Sequence, residues 1–134
     1  MTMREILFRG KHSPKSMWDY GDLYIDHDKV YISMRETMHG VRVHGEVIPD
    51  TVGQFTDLTD KNGKKIFEGD IVKIDIAGLI FNAVCKFHSG SFGLVWHYMG
   101  VDRWQAFTSM CHVEYEVIGN IHDNPELLEV TPDE

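Results

Sequence analysis

The sequence predicts a mainly β protein, and three observations support this fold class. Apolar and polar residues alternate with a period of two in several short runs, and turn-forming residues separate these runs at close spacing. In addition, no long segment shows the 3.6-residue apolar period of an amphipathic helix. The predicted architecture is an N-terminal β subdomain, a small SH3-like barrel of five short strands, and a short C-terminal helix.

The length of 134 residues is usual for one domain. The predicted organisation assigns residues 1–55 to the N-terminal β subdomain, 56–122 to the SH3-like barrel, and 123–134 to a short helix with an acidic tail. The sequence leaves open whether these parts form one compact domain. A chain of this length buries roughly two thirds of its surface on folding, so we expect it to need no metal, disulfide or other cofactor for stability.

Short alternating runs predict the strands of the N-terminal subdomain. Residues 4–9 form one strand, and the runs at 23–25 and 30–34 form a hairpin across a polar turn. Residues 41–43 give a further short strand. The segment 48–58 contains a proline, which cannot donate a ladder hydrogen bond, and is therefore predicted to be a connector.

The most informative run is DLTDKNGKKIFEGDIVKI at positions 57–74. Asn62 and Gly63 readily supply the two positive φ values of a type I′ turn, which predicts a tight hairpin. Gly69 is then free to take a left-handed conformation in a sharp corner that ends at Asp70. The barrel strands are predicted at 66–67, 71–76, 79–88, 94–98 and 113–118.

Two later segments complete the prediction. Residues 99–104 show no clear alternation and are predicted to be irregular. Residues 124–130 predict a short helix, in which Asn124 suits the N-cap and Pro125 suits the first helical position.

Composition excludes several classes of protein. The formal net charge is −8, from 21 acidic and 13 basic side chains, which disfavours nucleic-acid binding over the whole surface. Two cysteines are too few for a disulfide-rich secreted scaffold. The first residues lack the apolar core of a signal peptide, and no run approaches 18 apolar residues, so no membrane association is predicted. We expect a cytoplasmic protein with reduced thiols.

Four residues have the side chains that bind zinc: Cys85, His88, Cys111 and His112. Their spacing disfavours a site, because 85 and 88 point to opposite faces of a strand unless it bulges, and the adjacent 111 and 112 diverge likewise. Cys85 lies on an apolar strand face and is predicted to be a small buried hydrophobic residue.

The acidic residues before Gly63 resemble a calcium-binding loop. Aligning Gly63 with the invariant glycine of that loop puts Leu58 and Gly69 at positions that require carboxylates. The hairpin is therefore the better interpretation, and no metal site is predicted.

No catalytic set of residues emerges from the sequence. Most of the eight histidines lie beside polar or turn residues, which indicates exposed positions. The segment HSGSFG at 88–93 has neither the order of a nucleophile elbow nor the glycine spacing and lysine of a phosphate loop. We therefore expect a protein that is not an enzyme, and a small hydrolase is the least favoured functional alternative.

Lysines at the predicted hairpin tip give the best-motivated binding surface. Lys61, Lys64 and Lys65 cluster there, with Lys73 nearby. Small barrels often bind single strands through aromatic faces beside basic loops, so nucleic-acid binding is one functional alternative. The other interpretation is that these lysines keep an exposed turn soluble, and the overall negative charge favours it.

Three blocks carry a resemblance to a known family: REILFRG at 4–10, VGQFTDLTDKNGKKIFEGDIV at 52–72, and EVIGNIHDNPELL at 116–128. In this order they resemble the YopX family, small proteins encoded largely by bacteriophages and prophages. The resemblance implies a mostly β fold with an SH3-like part, expression in a bacterial cytoplasm, and no assigned activity. The leading hypothesis is an accessory protein that acts on an unknown protein partner or on itself as a homo-oligomer, through exposed strand edges.

Overall fold

A computed structural model describes residues 3–110 and 113–129, and gives the backbone alone for 36–38 and 41–42. The chain is mainly β, as predicted. The strands are β1 Phe8–Gly10, β2 Asp19–Asp26, β3 Lys29–Met38, β4 Val41–Val47, β5 Gly53–Thr59, β6 Lys65–Phe67, β7 Asp70–Ile76, β8 Leu79–His88, β9 Ser91–Tyr98, β10 Val101–Ala106 and β11 Glu114–Asn120. Three 3-10 turns span Pro49–Thr51, Phe107–Ser109 and Pro125–Leu128.

Contacts within the chain divide it into two compact units, Met1–Asp57 and Leu58–Glu134. Strand β5 runs from the first unit into the second.

The first unit is built from antiparallel strands in the order β4-β3-β2-β1-β5. The predicted hairpin is confirmed as β2 and β3, with Leu23 opposite Ile32. Ile32 is fully buried, and the other buried apolar side chains of this unit come from the neighbouring strands and connectors: Leu7, Val47 and Phe55. Alternation over β2 and β3 therefore sends one face of the hairpin into a small core.

The second unit contains a five-stranded antiparallel sheet in the order β10-β9-β8-β7-β11. The core lies against one face of this sheet, and its fully buried members on β7, β8 and β9 include Val72, Ile74, Ala83 and Leu94. Cys85 is also buried here, as predicted from its apolar strand face.

Three two-residue turns connect β7 to β10 into a meander. Both residues have positive φ in each: 51° and 89° at Ala77-Gly78, 50° and 80° at Ser89-Gly90, and 53° and 77° at Met99-Gly100. These are type I′ values, whose twist matches that of the paired strands. The last turn begins β10, so the prediction of an irregular segment at 99–104 is wrong. The strand was missed because both of its faces mix polar and apolar residues.

The C-terminal segment is a 3-10 turn of four residues, Pro125–Leu128, where a helix over 124–130 was predicted. Asn124 and Pro125 hold the predicted N-cap and first helical positions, but the Asn124 side chain does not cap the turn. Its Oδ1 atom accepts a hydrogen bond from the Asn120 backbone N–H at 3.2 Å. The turn is held to β8, because Asn82 Nδ2 donates to the Leu127 carbonyl at 2.9 Å.

Candidate functional site

The predicted hairpin tip begins at Asp60. The Asp60 N–H donates to the Lys64 carbonyl at 2.8 Å, and the Gly63 N–H donates to the Asp60 carbonyl at 3.0 Å. Gly63 has a φ of 80°, whereas Asn62 is outside the positive-φ region. The turn is thus a type I turn followed by a left-handed glycine, and the type I′ prediction is wrong.

The Asp60 side chain explains this geometry. Its Oδ1 atom accepts hydrogen bonds from the backbone N–H groups of Asn62 and Lys64, both at 2.9 Å. An aspartate that binds the N–H groups ahead of it in this way stabilises a turn without requiring positive φ at the residue before the glycine.

The same carboxylate closes one edge of the five-stranded sheet. Asp60 Oδ2 accepts a hydrogen bond from the Val117 N–H on β11 at 2.8 Å. Beside it, the Lys61 N–H donates to the Tyr115 carbonyl at 3.1 Å. These bonds occupy one outward-facing donor and one outward-facing acceptor of β11, next to a register shift between Val117 and Gly119.

Burial and hydrogen bonding act in opposite directions on this carboxyl. Asp60 is 6% exposed. Burial opposes ionisation, but the N–H groups of Val117, Lys64 and Asn62, together with the charge of Lys64, outweigh it and lower the pKa of Asp60 below its ordinary value of 3.8. The carboxylate is therefore charged at neutral pH, in the form that accepts all three bonds.

The structure places the four predicted lysines on the surface around this turn. Lys61, Lys64, Lys65 and Lys73 are all exposed. The Lys61 Nζ atom lies 3.6 Å from Glu116 Oε2, and Lys73 is directly opposite Glu116 in the pairing of β7 with β11. An acidic side chain therefore lies between two of these lysines and reduces the positive field that a phosphate would meet.

The Gly69-Asp70 corner has the predicted geometry and a structural role. Gly69 has a φ of 89°. Its N–H donates to the Cys85 carbonyl, and its carbonyl accepts from the Ile121 N–H, both at 2.9 Å. Asp70 Oδ2 accepts from the Phe67 N–H at 2.7 Å. These bonds fix the corner between β6 and β7.

The zinc-binding residue types do not come together in the described structure. Cys85 is buried, while His88 is exposed with its ring 5.1 Å from the Trp104 ring. Cys111 and His112 lie outside the described residues. Among residues 3–110 and 113–129, no group of three or more His, Cys, Asp or Glu side chains is arranged to hold a metal ion.

One row of residues in the first unit has side chains used in nucleophilic catalysis, and sequence analysis missed it. Asp22, Ser33 and His44 are opposite one another on β2, β3 and β4. Ser33 lies between Asp22 and His44, so the Asp22 carboxylate is not next to the His44 ring that it would have to orient. Asp22 binds Arg35 instead, at 2.9 Å. The Ser33 Oγ atom is buried and has no hydrogen-bond partner among the described residues, so the structure places no base beside it there.

The other edge of the five-stranded sheet is β10, which has no neighbour on its outer side among the described strands. Three consecutive side chains of β10 lie back over the sheet. Asp102 Oδ1 is 3.0 Å from His97 Nδ1, and the Arg103 guanidinium is 6.0 Å from the centre of the Tyr98 ring. Within the described part of the chain, their positions leave the outward backbone of β10 uncovered.

Trp104 is the third of these side chains. Its ring lies over Gly93, where an added Cβ would be 2.8 Å from the Trp104 Cη2 atom. The ring reaches His88 on β8, two strands away from the edge. Glycine at 93 thus permits the indole to lie across the sheet and away from the outer backbone of β10.

Apolar side chains are exposed where β10 begins. Val101 is 53% exposed, and Tyr98, directly opposite it on β9, is 38% exposed. The ring of Tyr98 packs against Phe81 at 5.2 Å, and Phe81 lies 6.1 Å from Trp96. An aromatic strip therefore continues from the core to the open end of this edge.

Comparison with known proteins places these features in a family. The family model described as "YopX protein" matches residues 7–129. The crystal structure of protein EF1440 from Enterococcus faecalis has a similar fold, with a TM-score of 0.55 and 24% identity over 95% of this chain and 100% of that one. A search of curated proteins found no match. Within the described residues, no helix is long and apolar enough to cross a membrane.

Proposed function

The chain belongs to the YopX family, and we propose that it is a non-enzymatic accessory protein of phage or prophage origin that acts in the bacterial cytoplasm through protein contacts. The observation that carries this proposal is the open edge of β10 beside the exposed Tyr98 and Val101. A strand edge offers main-chain hydrogen bonds, and neighbouring apolar side chains add contact area. Together they suit the addition of another strand.

The arrangement of the second unit supports this interpretation. Proteins usually protect an edge by covering it, bending it or placing charged residues or proline on it. β11 is covered by the Asp60 turn. β10 contains no lysine or proline and pairs with β9 over six residues without a register shift, and its two charged side chains, Asp102 and Arg103, lie back over β9. We also propose that this unit is an SH3-like barrel, because β10 and β11 flank the meander and are joined through the 3-10 turn Phe107–Ser109.

A non-enzymatic role fits the side chains that come closest to a catalytic set. The Asp22, Ser33 and His44 row lacks the hydrogen bond between nucleophile and base that such chemistry requires. We expect replacement of Ser33 by alanine to leave every activity of the protein unchanged. Turnover of an ester or amide substrate that is lost in Ser33→Ala would overturn the non-enzymatic proposal.

The proposal is tested by capturing partners from a bacterial host lysate with the tagged full-length chain, with nuclease and at low and high salt. Three baits are compared: the wild type, Ala106→Pro on the open edge, and a variant with Lys61, Lys64 and Lys65 replaced by alanine. We expect a stoichiometric protein that withstands nuclease, is lost with Ala106→Pro, and is retained by the lysine variant. Equal recovery by all three baits would contradict the role of β10.

Nucleic-acid binding through the hairpin tip is the second candidate, favoured by the exposure of Lys64 and Lys65 at a turn. Binding of this kind weakens as salt rises, because neutralised phosphates release counterions. If it occurs, the triple lysine variant should lower both the affinity for single-stranded oligonucleotides and the salt dependence, while Ala106→Pro should change neither. Equal affinity of the wild type and the triple variant would remove this candidate.

A further inference from the structure

We propose that two copies of this chain pair along β10 as antiparallel strands, about a two-fold axis that lies midway between the two copies of Trp104. This inference rests on the proposed role of β10 as the contact edge and specifies its partner. It makes the five-stranded sheet of each copy part of a continuous sheet across the dimer.

Closure of β11 selects a two-fold arrangement within this sheet. A head-to-tail assembly would pair β10 of one copy with β11 of the next. The turn at Asp60 already lies against that edge and is in the way of a further strand, since the Val117 N–H donates to Asp60 and the Tyr115 carbonyl accepts from Lys61. The remaining way to pair two such sheets is β10 with β10, which uses the same surface on both copies and closes after two subunits.

The turn before β10 determines which backbone groups face outward. Tyr98 and Val101 flank the two-residue turn Met99-Gly100, so they form a hydrogen-bonded pair. Hydrogen-bonded and non-hydrogen-bonded pairs alternate along an antiparallel ladder. Asp102, Trp104 and Ala106 therefore direct their backbone N–H and C=O groups away from β9, towards the open edge.

Charge excludes two of the possible registers. A two-fold axis perpendicular to the sheet keeps each side chain on its own face, so one residue of β10 lies opposite its own copy, with the axis midway between them. Centring on Asp102 puts two aspartates opposite each other, and centring on Arg103 does the same with two arginines. Directly opposed like charges are destabilising.

Centring on Trp104 avoids both conflicts. Asp102 then lies opposite Ala106 of the second copy, and Arg103 lies opposite Gln105. The Trp104 ring does not block its own axis, because it lies back over Gly93. Of the registers centred within β10, this is also the one in which all three outward-facing residues pair with one another, giving about six backbone hydrogen bonds across the axis.

Ala106 offers a clean way to test this pairing. Its φ of −67° is already the value that proline requires, and its N–H faces the open edge. Ala106→Pro therefore removes one outward donor without a change of backbone conformation. Lysine or aspartate at the same position would lie opposite Asp102 of the second copy, so the register predicts opposite effects of these two charges.

Sedimentation velocity of the full-length chain measures dimerisation of the wild type and of each variant. Protein concentrations from about 1 to 500 µM are needed, because an interface this small gives a weak dimer. We expect the wild type to dimerise at the upper end and Ala106→Pro to weaken association more than about tenfold. At low salt, Ala106→Lys should strengthen association about fivefold and Ala106→Asp should weaken it about fivefold, and high salt should reduce both effects. Far-UV circular dichroism of each variant verifies folding.

A wild type that stays monomeric at every concentration would overturn the dimer. Shifts of Ala106→Lys and Ala106→Asp in the same direction would overturn the Trp104 register. Neither result decides the proposed function, which fails separately if Ala106→Pro still captures the same protein from the lysate as the wild type. A monomeric chain whose captured protein is lost with Ala106→Pro would keep that function and reject self-pairing.

Discussion

The two outer strands of the five-stranded sheet differ in how their edges are protected. On β11, the Asp60 carboxylate and the Lys61 N–H bind the outward groups of Val117 and Tyr115. On β10, the side chains of Asp102, Arg103 and Trp104 lie back over β9 and leave the backbone open. An exposed edge is an aggregation hazard, so its retention on one side alone is consistent with a use for that side.

The turn at Asp60 has two roles, since it ends a hairpin and also covers the edge of β11. Asp60 uses one carboxylate oxygen to build its own turn and the other to close β11. The lysines of this turn therefore lie beside β11, where Glu116 is 3.6 Å from Lys61. Glu116 is also directly opposite Lys73 of β7. The hairpin tip is therefore primarily an edge cover, with its lysines on the outside.

Substitution of Asp60 should have the largest effect on stability, because it exposes the edge of β11. Asp60→Ala removes the acceptor of three backbone N–H groups, one of them buried on β11, and we expect a loss of about 3 kcal/mol in the free energy of unfolding. Asp60→Asn should cost less, about 2 kcal/mol, because its carbonyl oxygen still accepts from the turn while its amide faces the Val117 N–H. Urea unfolding measures both.

The two variants separate the turn from the edge. Hydrogen exchange at Val117 should accelerate in both, whereas exchange at Lys64 should accelerate in Asp60→Ala alone. Equal exchange at Val117 in the wild type and Asp60→Asn would contradict the closure of β11 by this side chain.

The pH dependence of stability tests whether the ionised form of Asp60 stabilises the fold. Because the folded pKa of Asp60 is lowered below its ordinary value of 3.8, the unfolded chain takes up this proton first as the pH falls. The stabilisation is therefore complete above the ordinary value and is lost as the pH falls through the lower folded value. The stability difference between the wild type and Asp60→Asn should be constant at neutral pH and shrink below about pH 4. A constant difference down to pH 2 would be inconsistent with an ionised Asp60.

On the β10 side, Gly93→Ala should have the next largest effect. An added Cβ would lie 2.3 Å from the Gln105 carbonyl oxygen and 2.8 Å from the Ala106 Cα atom, so β10 must shift away from β9. We expect a loss of about 2 kcal/mol. The matched control is Gly78→Ala, because a Cβ added at this position has no described atom within 4 Å. The alanine there must adopt a φ of 89°, and we expect this backbone strain to cost about 1 kcal/mol. Equal losses in thermal unfolding of the two variants would show that the close approach at Gly93 is not limiting.

Local patterns predicted much of the fold and little of this contrast between edges. The hairpin at β2 and β3 and the left-handed Gly69 follow from alternation and from the freedom of glycine, and both are present. The type I′ turn was assigned to Asn62-Gly63 because asparagine tolerates positive φ. It occurs instead at pairs such as Ala77-Gly78, where the paired strands impose the conformation.

The features that local sequence patterns did not predict depend on contacts between distant parts of the chain. The bond from Asp60 to Val117 joins residues 57 positions apart, and nothing in the local sequence of either one indicates it. β10 was missed for a related reason. An outer strand with exposed residues on both faces does not show a clear apolar alternation, so the signal that identifies inner strands is weak there.

Ala106→Pro should have a small effect on the stability of the monomer, in contrast to its effect on pairing. The proline fits the φ of −67° and removes an N–H that makes no bond to β9. We expect a change within about 0.5 kcal/mol, since lower entropy of the unfolded chain offsets any local loss. Unfolding at low protein concentration measures it. A loss as large as that of Gly93→Ala would mean that this N–H is used within the monomer.

The smallest expected effect belongs to the side chain of Lys61. Its Nζ atom lies 3.6 Å from Glu116, and both side chains are more than a third exposed, at 47% and 36%. Lys61→Met keeps the backbone N–H that binds Tyr115 and removes only the ion pair, so we expect a loss below about 0.5 kcal/mol that disappears at high salt. Urea unfolding at low and high salt tests this. A larger loss that persists in salt would mean that the lysine side chain itself helps to close β11, rather than the backbone of the turn and the carboxylate of Asp60.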